Sequence, residues 1–401
     1  MTVTSEEDLE EFRESVRGAL SQVSTSARVR AAMLTASGHD EPTWRALVQL
    51  DLPGLMLPER CGGSGLGAAE FAVAAEECGA WLACSPLFGT ATLAVPLLLA
   101  LGDEAALGAY GPRIASGELT ATVALAEAGA RWDVAAVRAT ARRDGDGWRL
   151  HGVKTHVVDG ATAGLLLVVA NTPDGPGVFA VERGAAPAGG TDGHGAGPGA
   201  DGEGDARPGG SAGSRDVPGM VVEPLVTLDL TRKMARISFD GTPAVLVGPV
   251  GCADATAAAA DVSRALLAAE QTGVAQRCLD LTVEYAKTRI QFARPIGSFQ
   301  VVKERLADAL IKVESARSAV YTATRSDGRA LARDSRVAAL MAGRAASWVT
   351  AQTIQLHGGV GFTWEHDAHL YFKRARTSAH LLGEAGEHVA ALAGALEREI
   401  V

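Results

Sequence analysis

A chain of 401 residues is longer than one ordinary hydrophobic core supports, so two or three packed domains are expected. With 47% hydrophobic and 21% charged residues it is globular, and a net charge of −10 argues against a nucleic-acid partner, which would want a basic face. No run approaches the uninterrupted apolar length of a membrane helix and the N-terminus is acidic, so a cytoplasmic protein without a membrane span is expected.

The chain opens with helix. Ser5 and Asp8 make a capping-box-like start, and Leu9, Phe12, Val16 and Leu20 form a helical stripe behind it. The segment from Leu52 to Gly65 is rich in breakers, and helical runs follow at Ala68 to Leu82 and Ala91 to Leu101. From about Thr120 the apolar period changes from 3.6 to 2. Alternation at Ala135, Val137 and Ala139, a strand into a turn at Trp148 to Gly152, and runs at Leu165 to Ala170, Val178 to Val181, Val226 to Leu230 and Ala235 to Phe239 predict a small β domain. Gly184 to Gly219 interrupts it. With thirteen glycines, four prolines and a single valine, this segment cannot bury enough to balance its ordering entropy, and it reads as a disordered insertion. It contains a formal G-x-G-x-x-G at Gly197 to Gly202. Without a strand before it and a helix after it, that match gives a nicotinamide cofactor no support.

A long amphipathic stripe through Val262, Leu266, Val274, Cys278, Leu281 and Tyr285, and a second from Phe299 through Val313, flank the stretch Thr288 to Lys303. Pro295 and Gly297 are expected to stop the first helix and permit the bend. An arginine held there can grip a phosphate bidentately while a neighbouring ring stacks on something flat. The five cysteines are odd in number, lack C-x-x-C spacing and read as reduced core thiols. His366 and His369 have H-x-x-H spacing, but without further ligands nearby no metal site is assigned.

Arg289, Phe292 and Gln300, with the block Gln355-Leu356-His357-Gly358-Gly359-Val360-Gly361-Phe362, resemble two signatures of the acyl-CoA dehydrogenase family. That resemblance implies an α+β fold with an N-terminal helical domain over residues 1–119, a middle β-barrel domain over 120–248 that carries the 184–219 insertion, and a C-terminal four-helix bundle over 249–401. It also implies FAD, held on its adenosine side across a subunit interface by Arg289, Phe292, Gln300, Gln355, Gly358 and Gly359. The implied reaction is α,β-dehydrogenation of an acyl-CoA or acyl-carrier thioester, with an electron-transfer flavoprotein as electron acceptor.

Here the sequence departs from the family. The usual base position falls on Leu382, and the position used by a minority of members, one residue before Arg264, falls on Ser263. No catalytic residue is therefore assigned, and Arg264 is read as substrate-binding, orienting an active-site carboxylate or the thioester. Glu270, on the apolar stripe, and Glu384, two residues past the usual position, are the remaining carboxylates. The first reads more readily as an arginine partner and the second as an exposed first-turn acid. Ala126 replaces a threonine that hydrogen-bonds the flavin, and His156 replaces a tryptophan that covers its ring. The missing base is similar to actinobacterial members that work as two unlike chains, often on bulky steroid side-chain thioesters, in homo- or hetero-oligomers. A flavin oxidase or monooxygenase on the same fold and a non-catalytic thioester-binding subunit are the alternatives.

Overall fold

The computed structural model describes residues 5–129, 132–184 and 217–400. Most of the glycine-rich insertion, including the formal G-x-G-x-x-G, lies outside them. The N-terminal region folds as α1 (Glu6–Val23), α2 (Ser26–Leu34), α3 (Glu41–Gln49), α4 (Ala68–Ala80), a π-helical turn at Phe88–Ala94 that runs into α5 (Val95–Leu101), and α6 (Glu104–Ala115). The capping box of α1 is formed: the Ser5 hydroxyl accepts the Asp8 amide at 3.1 Å, and the Asp8 carboxylate accepts the Ser5 amide at 3.2 Å.

The β region comprises β1 (Ala121–Ala124), β2 (Thr140–Asp144), β3 (Gly147–Val158), β4 (Leu165–Thr172), β5 (Gly175–Glu182), β6 (Met220–Leu225) and β7 (Met234–Val247). Strands β4, β2, β3, β7 and β5 follow one another around a ring that closes because β5 pairs with both β7 and β4. Closure removes the free edges of the ring. It also explains why Leu165 to Ala170 are buried without alternation: one face fills the barrel and the other is covered.

Three of the strand readings change. Ala135 and Val137 lie in and beside a 3-10 turn, and pairing starts only at Thr140. Strand β3 does not turn at Gly152 but passes through it with φ +129, absorbing a register shift at Leu150 and His151. A Cβ at that glycine would meet Ala139 at 2.8 Å. The run Val226 to Leu230 leaves the sheet after Leu225, because Asp229 is drawn 1% exposed into an ion pair with α10 (Ala368–Ser378).

The C-terminal region is built on α7 (Ala253–Thr288), α8 (Gln300–Ala323), α9 (Gly328–His357), α10 and α11 (Ala385–Ile400). Helix α7 crosses α4 at a pair of glycines. A Cβ on Gly79 would sit 2.1 Å from the Glu270 carbonyl, and one on Gly273 1.8 Å from that of Glu76, so only glycine lets the two backbones meet. Helices α7 and α9 run parallel, with Asp261 against Ser335 near one end and Tyr285 against His357 at the other. Both C-termini therefore reach the same end of the bundle. The first helix stops at Thr288, well before Pro295, because the chain enters a short hairpin of β8 (Ile290–Gln291) and β9 (Arg294–Pro295).

Candidate functional site

The first cluster lies at that shared end. Phe292 and Ala293 form the hairpin turn, both in left-handed backbone with φ +52 and +58, the conformation a two-residue hairpin of this twist requires. Glycine would adopt it without cost, whereas Ala293 carries a Cβ there. Phe292 is 87% exposed and sits edge-on to Phe299, at 6.1 Å between ring centroids. The Arg289 guanidinium has no carboxylate partner among the described residues, and Gln300 is exposed, donating to Glu304 at 3.1 Å. At the adjoining end of α9, Gln355, Gly358 and Gly359 are exposed, and a Cβ at either glycine would meet open space. Tyr285 stacks on His357 with centroids 4.3 Å apart and ties the two helix ends together. An available cation, an unstacked ring and an open glycine backbone side by side fit a phosphate joined to a flat base, so this end suits the adenosine side of FAD.

The flavin-ring side looks different. His156 holds φ +51, and its buried Nδ1 has no hydrogen-bond partner among the described residues. It lines a cavity of about 350 Å³ with Trp132, Met234, Thr377, His380 and Glu384. Ala126 is buried, has no side-chain hydroxyl, and its carbonyl accepts the Thr155 amide at 2.9 Å. A planar ring could enter this cavity, but the side-chain hydroxyl that would bond it is gone. Glu384 is exposed and 3.1 Å from His380.

The two base positions, 119 residues apart by subtraction of 263 from 382, line one small cavity between α5, β1 and α7. Its lining contains no carboxylate. The Ser263 hydroxyl donates back to the Ala259 carbonyl at 2.9 Å. Leu382 is 3% exposed and left-handed at φ +59. Arg264 is buried and committed: it pairs with Asp261, donates to Ser335 at 3.2 Å, and reaches the Leu382 carbonyl at 3.2 Å. Its Nε is thus spent on the loop that carries the base position, while its Nη1 is held by Asp261 and Ser335. His388, packed against Gly383 beside Arg264, is pushed down to about 4 by burial and the neighbouring guanidinium.

Glu270 sits under the α4/α7 crossing, 5% exposed, and accepts two bonds from Arg232 (2.7 and 2.5 Å) and one from Arg374 (3.0 Å). Arg374 also pairs with Asp229 at 2.9 Å. Burial pushes the Glu270 carboxyl up, but the two guanidiniums prevail and hold it below the ordinary range. A carboxylate so clamped is a structural ion-pair partner and a poor proton acceptor. Sequence reasoning did not find Arg232 and Arg374. The one available signal was an acid on an apolar stripe, which demands a buried cation somewhere. Among the described residues no group of three or more His, Cys, Asp or Glu side chains converges on a metal position; His369 stacks on Trp364 at 4.8 Å.

Residues 6–118 match the acyl-CoA dehydrogenase N-terminal domain and residues 251–396 the acyl-CoA dehydrogenase C-terminal domain. The chain belongs to the acyl-CoA dehydrogenase family, whose members are FAD-dependent oxidoreductases. It is similar to acyl-CoA dehydrogenase IpdE2 of Mycobacterium tuberculosis, with 35% identity over 95% of this chain and 94% of that protein. It is also similar to FadE27 of the same organism, with 30% identity over 86% and 85%. Among solved structures it resembles a variant of the Tcur3481-Tcur3483 steroid ACAD, with TM-score 0.82 and 33% identity over 98% of this chain and 99% of that one. The ChsE4-ChsE5 complex from Mycobacterium tuberculosis gives TM-score 0.83 and 28% identity over 99% of each. No described helix is long and apolar enough to cross a membrane.

Proposed function

We propose that this chain is one subunit of an FAD-dependent acyl-CoA dehydrogenase made of two unlike chains, and that it lacks a base of its own. Arg289, Phe292, Gln300, Gln355, Gly358 and Gly359 hold the adenosine side of a flavin whose ring lies in the partner, and the partner removes the α-proton of the thioester. FAD, when bound, supplies the acceptor for the β-hydride. A bulky acyl group of the steroid side-chain class is the substrate, and an electron-transfer flavoprotein reoxidises the assembly.

One observation carries the reading. Both positions from which the family takes its base meet at one cavity, and neither holds a carboxylate. The paired names of the two solved relatives support the two-chain assembly. The test is flavin counting. Coexpressed with a base-carrying homologue from the same genome, the complex should hold about one flavin per pair of chains, and this chain alone should hold little. A lone chain that retains one flavin per chain would overturn the division of labour.

A further inference from the structure

A separate cavity of about 170 Å³ lies between α7, α9, the loop after α10 and the start of α11. Gln271 lines it from α7 and is only 4% exposed. Gly343 of α9 stands opposite: a Cβ there would come within 3.9 Å of both Gln271 amide atoms, and a longer side chain would cover them. Glycine thus leaves the amide open to the cavity. Among the described residues neither atom of that amide has a hydrogen-bond partner. A buried amide without a partner is costly, which marks this point as one where something else binds.

The charge around the cavity is one-sided. Asp261 pairs with both Arg264 and Arg336, so one carboxylate answers two cations. Arg344, exposed at the rim, has no carboxylate partner among the described residues, and the lining contains no Asp or Glu. His388, in the same lining, is pushed down to about 4 by burial and by the Arg264 and Arg336 guanidiniums, as a positive surrounding requires. The ligand is therefore an anion. Leu267, Leu340 and Leu381 make the rest of the wall apolar, which suits an anion charged at one end better than a phosphate, with oxygens on every side. A cavity of ~150 Å³ is enough to take benzene, so there is room for a body about one ring in size.

We propose that this cavity binds a small monocarboxylate with a compact apolar body, with Arg344 and the Gln271 amide as its polar contacts and Leu267, Leu340 and Leu381 against its body. Leu381 and Gly383 belong to the loop whose Leu382 carbonyl accepts Arg264 at 3.2 Å, so the ligand touches that loop as well.

The test uses the full-length chain and benzoate as the probe, followed by isothermal titration calorimetry. One benzoate should bind per chain, with a dissociation constant on the order of 1 mM. Benzamide, of the same shape without the charge, and inorganic phosphate should each bind about tenfold or more weaker. Arg344→Gln, at an exposed position, should weaken benzoate about tenfold or more and leave benzamide unchanged. Gln271→Leu should also weaken benzoate, and without ligand it should melt no lower than wild type, because it removes an unpaired buried amide. No benzoate binding, benzamide or phosphate binding as well as benzoate, or no response to Arg344→Gln overturns the site. Benzoate binding that disappears when the chain is assembled with its partner would assign the cavity to a partner group, and overturns it too. The readout needs no flavin, so a lone chain that bound a full flavin would defeat the proposed function and leave the benzoate result standing.

Discussion

The end of the bundle at Arg289 and the pocket at Leu382 belong to the same helix, α7, and have opposite characters. At Arg289 the chain leaves a cation without a described carboxylate partner, Phe292 bare and a glycine backbone uncovered. At Leu382 the Ser263 hydroxyl and the Arg264 Nε are bonded within the chain, and the cavity lining is mostly apolar. An open, unsatisfied surface asks for a ligand or partner, because unpaired charge and exposed ring area gain most from being covered. A lining whose hydroxyls are already bonded and that holds no carboxylate offers no proton acceptor. Under the proposed function, the contrast separates the surface this chain lends to a neighbour's site from the base position it lacks.

The contrast can be broken most severely from beneath. Arg374→Ala leaves Asp229 and Glu270 buried with one guanidinium fewer between them, and should cost about 3–5 kcal/mol, read from the midpoint of chemical denaturation. A loss below about 1 kcal/mol would mean that water reaches the cluster. At the open end, Arg289→Ala removes a charge-assisted phosphate contact of about 1.5–3 kcal/mol. Flavin content of the assembly should fall about tenfold or more with stability unchanged. Wild-type flavin retention would remove Arg289 from the site.

Beside Leu382 the pH response includes His388, in addition to His357, His366 and His369, which burial also pushes down. His388 titrates at about 4 in the folded chain, below its ordinary value near 6.5, so between these values the unfolded chain binds the extra proton. Stability should therefore fall as pH drops from about 6.5 toward 4, and His388→Gln should flatten that slope. An unchanged slope would assign the whole response to the other three histidines. The smallest effect belongs to the hairpin: Ala293→Gly relieves a left-handed alanine and should stabilise by about 1 kcal/mol or less, visible as a small rise in melting temperature.

Much of the open end was legible because it is local. Arg289, Phe292 and Gln300 fall within one turn between two strong helical stripes, and the Gly358-Gly359 pair marks a helix end. The Leu382 side was legible only in part. The sequence shows that Leu382 and Ser263 are not carboxylates, but that they share one cavity is a product of packing between α5, β1 and α7. The same holds for Glu270, whose apolar stripe foretold burial while Arg232 and Arg374 come from distant segments. Gly152 was misread for a related reason: a bulge and a turn use the same residue, and only the partner strand β7 distinguishes them. Val226 to Leu230 has the composition of a strand, but a long-range ion pair at Asp229 outweighs it.

The most direct measurement is anaerobic flavin bleaching by a saturated acyl-CoA, followed with this chain alone, flavin-loaded as far as it will go, and with the chain combined with a base-carrying homologue. No appreciable bleaching is predicted in the first case, slower by a factor of at least about 10²–10⁴ than in the second. Bleaching by the lone chain at the rate of the mixture would contradict a chain without its own base.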